Sequence, residues 1–146
     1  MGELSRRSVL KGIAAGVTVA GWRALDRAWI PAGASEAARA TPLPPLDGTV
    51  DMSPAALAAF SGDFGRLVTG TPMVVLRPGS VKDIVKMVRY ARDNGLTIAM
   101  NGQSGTDDEF ESHSNFGQAL VPGGVAIDAR GLRTIHTVDN RYADVD

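Results

Sequence analysis

A strand–helix–strand pattern in the middle of this 146-residue chain constrains its fold more than any other feature of the sequence. Met73–Leu76 is a short apolar run rich in β-branched residues, which is typical of a buried strand. A helical pattern follows from Val81, and a second apolar run, Leu96–Met100, comes directly after Gly95. Two strands joined by one helix with short links are expected to lie parallel, with a right-handed crossover. The sequence therefore predicts a βαβ unit.

The helix of this unit has clear end signals and one apolar face. Ser80 is placed to cap its first turn, Asp83 occupies the capping-box position, and Gly95 provides a left-handed residue at its end. Five apolar residues recur at helical spacing and share one face: Val81, Ile84, Val85, Val88 and Ala91. The lysines and arginines of this segment lie largely on other faces, so the pattern is that of an amphipathic helix.

The first forty residues have the organisation of an export signal. Ser5–Lys11 matches the twin-arginine pattern, and the modestly apolar run Gly12–Trp22 that follows is short for a membrane span. Small residues at Ala32–Ala34 and Ala38–Ala40 offer two cleavage points. We predict a twin-arginine signal peptide and cleavage region at residues 1–40, with the twin-arginine export machinery as partner and a periplasmic or extracellular location. The alternative is an amphipathic helix with two accidental arginines, and an uncleaved signal is the one membrane contact that we expect.

Charge and composition exclude several classes of function. After position 40 the chain carries thirteen acidic and nine basic side chains, and a mildly acidic body does not attract phosphate backbones. We therefore expect no nucleic-acid partner. The absence of cysteine excludes disulfides, thiol catalysis and cysteine-ligated metal centres.

Residues 41–62 read as a linker and a short helix. Thr41–Gly48 is rich in proline, and Ser53 with Pro54 begins a short helix at Ala55–Phe60. Three further strands are predicted after the βαβ unit: Val125–Asp128, Thr134–Val138 and one that starts at Tyr142. The last strand is not followed by a turn or a cap, so we expect residues 63–146 to form an α+β domain that is incomplete at its C-terminus.

A glycine-bearing polar turn, Asn101–Thr106, comes directly after the second strand of the βαβ unit. Three interpretations compete. The glycines could simply make a turn, as a lone pair of glycines often does. The acidic residues after it could bind a metal with a histidine, although they are adjacent rather than spaced along an element: Asp107, Asp108, Glu109, Glu111 and His113. Alternatively, the backbone N–H groups of Gly102–Gly105 could hold a diphosphate, because no Cβ obstructs the approach of the ligand.

The chain from Asp63 onward resembles the N-terminal part of FAD-binding oxidoreductases of the p-cresol methylhydroxylase and vanillyl-alcohol oxidase type, cytokinin dehydrogenase-like proteins among them. The residues that carry the resemblance are Asp63-Phe64-Gly65, Pro72, Val75–Ser80, Asp83-Ile84, Asn94–Leu96, Gly102-Gln103, His113-Ser114, Gly117-Gln118, Gly124-Val125, Ile127-Asp128, Gly131-Leu132 and Ile135. Each element alone is weak evidence, but their order and spacing over some eighty residues are specific. The resemblance implies a small α+β subdomain of the p-cresol methylhydroxylase type that starts with the βαβ unit.

The resemblance also implies a cofactor, FAD, and a set of residues that contact it. Backbone N–H groups of four loop residues would bind the FAD pyrophosphate, and three later residues would lie near the flavin or its diphosphate; the seven are Gly102, Gln103, Ser104, Gly105, His113, Ser114 and Gln118. A histidine directly after such a loop often carries the flavin covalently through its C8 methyl group. The implied reaction is dehydrogenation of a small-molecule substrate at a C–H bond next to nitrogen or oxygen. Catalytic residues would lie beyond Asp146.

Two departures from the family pattern leave two possibilities for the role of His113. Seven residues, Thr106–Ser112, separate Gly105 from His113, and Asn101 stands where arginine is common. Either the loop bulges and His113 returns to the flavin, or Ser104 and Gly105 make the turn and the covalent link is lost. We expect this length of chain alone to be inactive as an enzyme. The alternative function is a non-catalytic exported remnant or binding module without bound flavin.

Overall fold

A mixed four-stranded sheet lies at the centre of the computed structural model, which describes residues 19–63, 67–101 and 119–145. The described strands are β1 (Val19–Arg23), β2 (Ala28–Pro31), β3 (Thr41–Pro42), β4 (Thr49–Asp51), β5 (Val74–Arg77), β6 (Ile98–Asn101), β7 (Val125–Asp128), β8 (Ile135–Val138) and β9 (Ala143–Val145). The described α-helices are α1 (Pro54–Ala59) and α2 (Val81–Asn94), and short 3₁₀ turns lie at Ala37–Arg39 and Ala129–Gly131.

The central sheet has the strand order β4-β5-β7-β6. Strands β5, β7 and β6 are parallel, and β4 runs antiparallel to β5 at one edge. The predicted βαβ unit, β5–α2–β6, is confirmed in its elements and in the parallel direction of its strands. Its two strands do not pair with each other, because β7 lies between them and pairs with both.

The two faces of this sheet are covered differently. Val74, Leu76, Val125 and Ile127 point to one face, where they share a cluster with residues of α2 and of the β1–β2 hairpin. Val75 and Ala126 point to the other face and pack with α1 and Val121. All six side chains are almost completely buried, and this alternation along β5 and β7 follows the two-residue period of a strand. The sheet therefore has a core on both sides.

Helix α2 packs on the core with a face that overlaps only partly with the apolar one read in the sequence: Ile84 packs against the core and Ala91 is buried, as expected. Its buried residues are Asp83, Met87, Tyr90 and Ala91. Val81, Val85 and Val88 are between 43% and 48% exposed, and we call these three residues the valine stripe. Two polar anchors account for this orientation: the Asp83 carboxylate bonds to three backbone N–H groups, and the Tyr90 hydroxyl bonds to two backbone groups.

The ends of both helices follow the sequence signals with one exception. Ser53 accepts a hydrogen bond from Ala56 N–H at the start of α1, and Gly95 adopts the left-handed conformation after α2. Ser80 is the first flanking residue of α2, but its hydroxyl donates to the Asp47 carboxylate instead of capping the helix. Asp83 likewise bonds outside the helix rather than closing a capping box.

Strands β1, β2 and β3 form a separate three-stranded sheet, order β2-β1-β3, that packs on the α2 side of the core. Strands β1 and β2 fall within residues 1–40, whose first eighteen positions, including the twin-arginine motif, lie outside the described residues. Trp22 and Trp29 are 2% and 4% exposed, so this segment contributes to the core. No helix among the described residues is long and apolar enough to span a membrane.

Strands β8 and β9 form a two-stranded antiparallel hairpin at the end of the chain. They correspond to the two last strands predicted from the sequence, and His136 lies in β8 as predicted. Every residue of both strands is exposed, including Ile135, Val138 and Val145.

Candidate cofactor-binding edge

The carboxyl ends of three parallel strands lie side by side and define one edge of the central sheet. Strand β5 ends at Arg77, β7 at Asp128 and β6 at Asn101, and Asn101 is paired in register with Asp128. Ligands of open parallel sheets bind at this kind of edge, outside the carboxyl ends of the strands. The glycine-bearing segment leaves the sheet at this edge, directly after Asn101.

All seven residues predicted to contact the cofactor lie outside the described residues, which resume at Ala119. They remain predictions: Gly102, Gln103, Ser104, Gly105, His113, Ser114 and Gln118. The residues of the alternative metal site, from Asp107 to His113, also lie outside the described residues.

The two ends of this segment meet. The side-chain amide of Asn101 donates a long hydrogen bond to the carbonyl oxygen of Ala119, at 3.5 Å. The described chain therefore stops at Asn101 and resumes at Ala119 close to the same place. Asn101 stands where arginine is common in the resembling proteins, and this contact gives the asparagine a role.

The return path from Ala119 to β7 is held tightly. Val121 is buried, and a Cβ at Gly124 would clash with the side chains of Thr97 and Val121. Gly123 has φ +70°, a conformation that favours glycine. The turn at these glycines brings the chain into β7 beside β6.

Two arginines and two aspartates form a charge network at the same edge. Arg77 Nη1 lies 2.8 Å from Asp51 Oδ2, and Arg77 Nε lies 3.6 Å from Asp128 Oδ2. Arg130 makes a bidentate pair with Asp128, with two N–O distances of 2.7 Å. The Arg130 guanidinium also lies 6.0 Å from the centre of the Phe60 ring, within the range of a cation–π contact.

These contacts set the protonation of the two carboxyl groups. Burial acts to raise the pKa of Asp128, but the hydrogen bonds and charge of Arg130 outweigh it and hold the pKa below its ordinary value. Burial also acts to raise the pKa of Asp51, and the Ser53 N–H group and Arg77 outweigh it. The same pairing raises the pKa of Arg130. Both carboxyl groups and the Arg130 guanidinium are therefore charged at neutral pH.

The charge network limits how much the arginines of this edge could contribute to binding a diphosphate. The two guanidinium charges are matched by two carboxylate charges, although the Arg77 side chain is 42% exposed. The described side chains of this edge thus offer little net positive charge to an anion. A diphosphate at this edge fits only if backbone N–H groups provide most of its hydrogen bonds, and the small residues of Gly102–Gly105 are the chemistry that permits this.

Two further features of the described residues bear on other possible sites. No group of three or more histidine, aspartate or glutamate side chains that could hold a metal ion occurs among the described residues. A cleft of about 330 Å³ lies between the three-stranded sheet and β4, and its lining, from Val19 and Ala20 to Leu43, Pro44, Leu46, Gly48, Thr49 and Val50, contains no titratable side chain.

Sequence reasoning missed the charge network. The motif ending in Asp128 was read as a strand end, and Arg77 as part of a turn. The available signal was that two strands of the predicted parallel sheet each end in a charged residue, which places those residues at one edge. Asp51 could not be added to the network without the fold, because its partner Arg77 is 26 positions away in the sequence. Arg130 could not be added either, because its contact with Asp128 depends on the turn at Ala129–Gly131.

Comparison with known proteins relates this fold to oxidoreductases. No protein-family model matches the chain. An uncharacterized oxidoreductase of the fasciation locus of Rhodococcoides fascians is 31% identical over 90 residues, covering 62% of this chain and 19% of that protein. Cytokinin dehydrogenase 2 of Arabidopsis thaliana is 35% identical over 103 residues, covering 68% of this chain and 19% of that protein.

A solved structure gives the same relation. The crystal structure of 6-hydroxy-D-nicotine oxidase from Arthrobacter nicotinovorans superimposes with a TM-score of 0.50 at 34% sequence identity, covering 66% of this chain and 20% of that protein. The chain thus has the α+β fold of the p-cresol methylhydroxylase type that the sequence predicted. It is homologous to part of the oxidoreductases named above, and it spans about a fifth of the length of those relatives.

Proposed function

We propose that this chain is the N-terminal part of an exported FAD-dependent oxidoreductase, and that it contributes the loop that binds the FAD pyrophosphate. The observation that carries the proposal is the position of the glycine-bearing segment. It follows the carboxyl end of a parallel strand, in a chain that superimposes on part of 6-hydroxy-D-nicotine oxidase. The dehydrogenation of a C–H bond next to nitrogen or oxygen belongs to the whole protein and is part of the proposal.

Two features of the edge support the roles proposed for this chain's residues. Backbone N–H groups of Gly102–Gly105 hold the pyrophosphate, since the arginines of the edge are already paired with aspartates. His113, Ser114 and Gln118 are assigned to the flavin or its diphosphate in this proposal, and the contact between Asn101 and Ala119 supports it because it joins the residues that flank the segment. Bound FAD supplies the electron-accepting chemistry, and the protein supplies binding and orientation.

Flavin titration of the full chain tests the proposal. Gly102→Val and Gly105→Val place a branched side chain where the backbone must approach the phosphates, so each variant is expected to weaken FAD binding at least about tenfold, or 1.4 kcal/mol. Gly62→Ala is the matched control, because a Cβ at Gly62 meets no atom within 4 Å. Flavin fluorescence during titration gives the dissociation constants. No saturable FAD binding by the unaltered chain would instead favour the binding module without flavin, and equal affinities in all four proteins would remove the loop's assigned role.

Acid precipitation of the flavin-loaded protein distinguishes the two states of the flavin. Yellow colour that precipitates with the protein identifies a covalent bond, and His113→Ala is then expected to abolish it. Colour that stays in the supernatant identifies non-covalent binding and removes the covalent role of His113.

Export through the twin-arginine pathway is tested by fractionation. Arg6→Lys combined with Arg7→Lys is expected to keep the chain in the cytoplasm of a host that has this pathway, whereas the unaltered chain reaches the periplasm or the medium. Equal distribution of the two proteins would contradict export by this route.

A further inference from the structure

The segment between the predicted export motif and the proline-rich linker is built into the core. Trp22, Trp29 and Ile30 are 2%, 4% and 7% exposed. Trp22 and Trp29 belong to the same buried cluster as Val74, Leu76 and Met87. A signal that is discarded after export has no need of side chains buried among those of the mature domain.

An aromatic cluster attaches this segment to helix α2. The Trp22 and Trp29 rings meet edge to face with centres 5.6 Å apart, and the Trp29 ring stacks on Tyr90 at 5.9 Å. The Tyr90 hydroxyl donates to the Thr41 carbonyl oxygen at 2.6 Å and accepts from the backbone N–H of Trp22 at 2.9 Å. One hydroxyl therefore joins β1, β3 and α2.

Strands β1 and β3 also approach each other closely through their backbones. A Cβ at Gly21 would clash with the carbonyl group of Thr41, and Leu43 N–H donates to the Ala20 carbonyl oxygen at 3.1 Å. The residues that follow the predicted cleavage points thus use β1 as their pairing partner. Thr41 and Leu43 would lose that partner if β1 were removed.

Both predicted cleavage points lie in the connection between β2 and β3. Ala32, Gly33, Ala38 and Arg39 are exposed there, so a protease could reach the connection in the folded chain. A cut at either point would separate β1 and β2, with both tryptophans, from the rest of the domain.

We propose that residues 19–42 are a permanent structural part of the folded domain, and that any processing of the export motif takes place at or before Val19. The mature chain then keeps Trp22 and Trp29 against Tyr90. The processing half of this proposal rests on the export proposed above, whereas the structural half does not.

A cut in the connection tests the structural half without export or flavin. A recognition sequence for a site-specific protease is inserted between Gly33 and Ala34 of the full chain, and the cut protein is passed over gel filtration under native conditions. The two pieces are expected to elute together and to separate only in denaturant, and aggregation of the larger piece after the cut would equally show that it needs the smaller one. A larger piece that elutes alone, with unchanged circular dichroism and melting temperature, would overturn the proposal.

A variant pair shows whether the aromatic cluster holds the pieces together. Trp29→Ala in the cut protein is expected to release the N-terminal piece at least about ten times more readily, whereas Leu25→Ala, whose side chain is 95% exposed, should leave retention unchanged. Equal retention by both variants would contradict the role of the cluster.

The N-terminus of the exported protein tests the processing half. Intact mass analysis of the periplasmic or secreted chain is expected to show a first residue at or before Val19. A first residue at Ser35 or Thr41 in a folded product would overturn the proposal. If the chain is not exported, the proposed export fails and the cut experiment alone decides the structural half.

Discussion

Two glycine-bearing segments of this chain follow the end of a parallel strand, and they differ in the anion that we assign to their N–H groups. After β5, the anion is the chain's own Asp83 carboxylate. It accepts hydrogen bonds from the N–H groups of Asp47, Gly48 and Gly79 at 2.9, 2.7 and 2.9 Å. The glycine-bearing segment after β6 lies outside the described residues, and we propose that a diphosphate is the anion it binds.

The first turn shows what glycines do when no ligand is involved. A Cβ at Gly48 would clash with the backbone around Arg77, and a Cβ at Gly79 would meet the backbone of Asp47. These glycines permit two chain segments to approach the buried carboxylate. A glycine turn after a strand can therefore serve an acceptor of the chain itself as well as a ligand. We therefore expect substitutions in the turn after β5 to alter stability, and substitutions in the segment after β6 to alter ligand affinity.

Asp83→Ala should have the largest effect on stability. It leaves three N–H groups without their acceptor in a buried place, so we expect the free energy of unfolding to fall by about 4 kcal/mol. Urea unfolding of the full chain measures this change. The control is Asp93→Ala on the same helix, whose side chain is 61% exposed and which should change stability by less than about 0.5 kcal/mol. The dissociation constant of FAD for the folded fraction should stay within about twofold; equal losses of stability in the two variants would contradict the account of Asp83.

Neighbouring residues of α2 sharpen the assignment of its buried face. Met87 is fully buried and Val88, in the valine stripe, is 48% exposed. We expect Met87→Ala to cost about 3 kcal/mol because it opens a cavity in the core, and Val88→Ala to cost less than about 1 kcal/mol. Urea unfolding curves give both values. A larger loss for Val88→Ala would mean that the apolar face read from the sequence is the packed one.

Acid should reduce the stability that the Asp83 carboxylate provides, because this group takes up a proton at a higher pH in the unfolded chain than in the folded chain. Burial acts to raise the pKa of Asp83, but the three N–H donors and Lys86 outweigh it and hold the pKa below the ordinary value. A depressed carboxyl pKa contributes stability that is present above the unfolded pKa, about 3.9, and is lost as the pH falls below it towards the folded pKa. Asp51 and Asp128 act in the same direction.

Urea unfolding between pH 7 and pH 3 measures this dependence. The free energy of unfolding should be nearly constant down to about pH 5 and fall steeply below about pH 4. Asp83→Asn should flatten part of that fall, and the exposed Asp93→Asn should not. A stability that stays constant down to pH 3 would contradict the depressed pKa values.

Asn101→Ala should have a small effect on stability and should instead weaken FAD binding by the segment after β6. It removes the contact between the ends of the segment 102–118, which at 3.5 Å is a weak hydrogen bond. We expect a loss of less than about 1 kcal/mol in stability and a loss of about threefold in FAD affinity. Flavin titration measures the affinity, and Asn94→Ala, which removes an amide bonded within α2, is the control. Equal affinities for both variants would show that closing the base of the segment is not required.

Local signals in the sequence were sufficient for the central elements. Strand β7 begins and ends where the sequence predicted, and Gly95 ends α2 in the left-handed conformation. The position of β7 between β5 and β6 was not available from the sequence, because pairing between distant strands depends on the whole sheet. The resemblance to flavoproteins identified the fold class, which the superposition on 6-hydroxy-D-nicotine oxidase confirms.

Features that depend on long-range contacts could not be predicted. Periodicity placed five apolar residues on one face of α2, but the buried face is also set by Asp83 and Tyr90, which bond to Asp47 and Thr41, 36 and 49 positions away along the chain. Trp22 was read as the end of the apolar run of the export signal and Trp29 fell within its cleavage region, since a pattern of apolar residues does not say what they pack against. The seven predicted cofactor contacts stay predictions because they lie outside the described residues.

Amide NMR spectra of the full chain, recorded during titration with FAD, test the difference between the two turns most directly. The N–H signals of Gly102 and Gly105 should shift progressively and saturate, because their hydrogen-bond acceptor changes from water to phosphate. The N–H signals of Gly48 and Gly79 should stay in place, because the Asp83 carboxylate already occupies them. Unchanged signals at Gly102 and Gly105, or equal shifts at all four glycines, would contradict the proposal that the loop after β6 binds the cofactor.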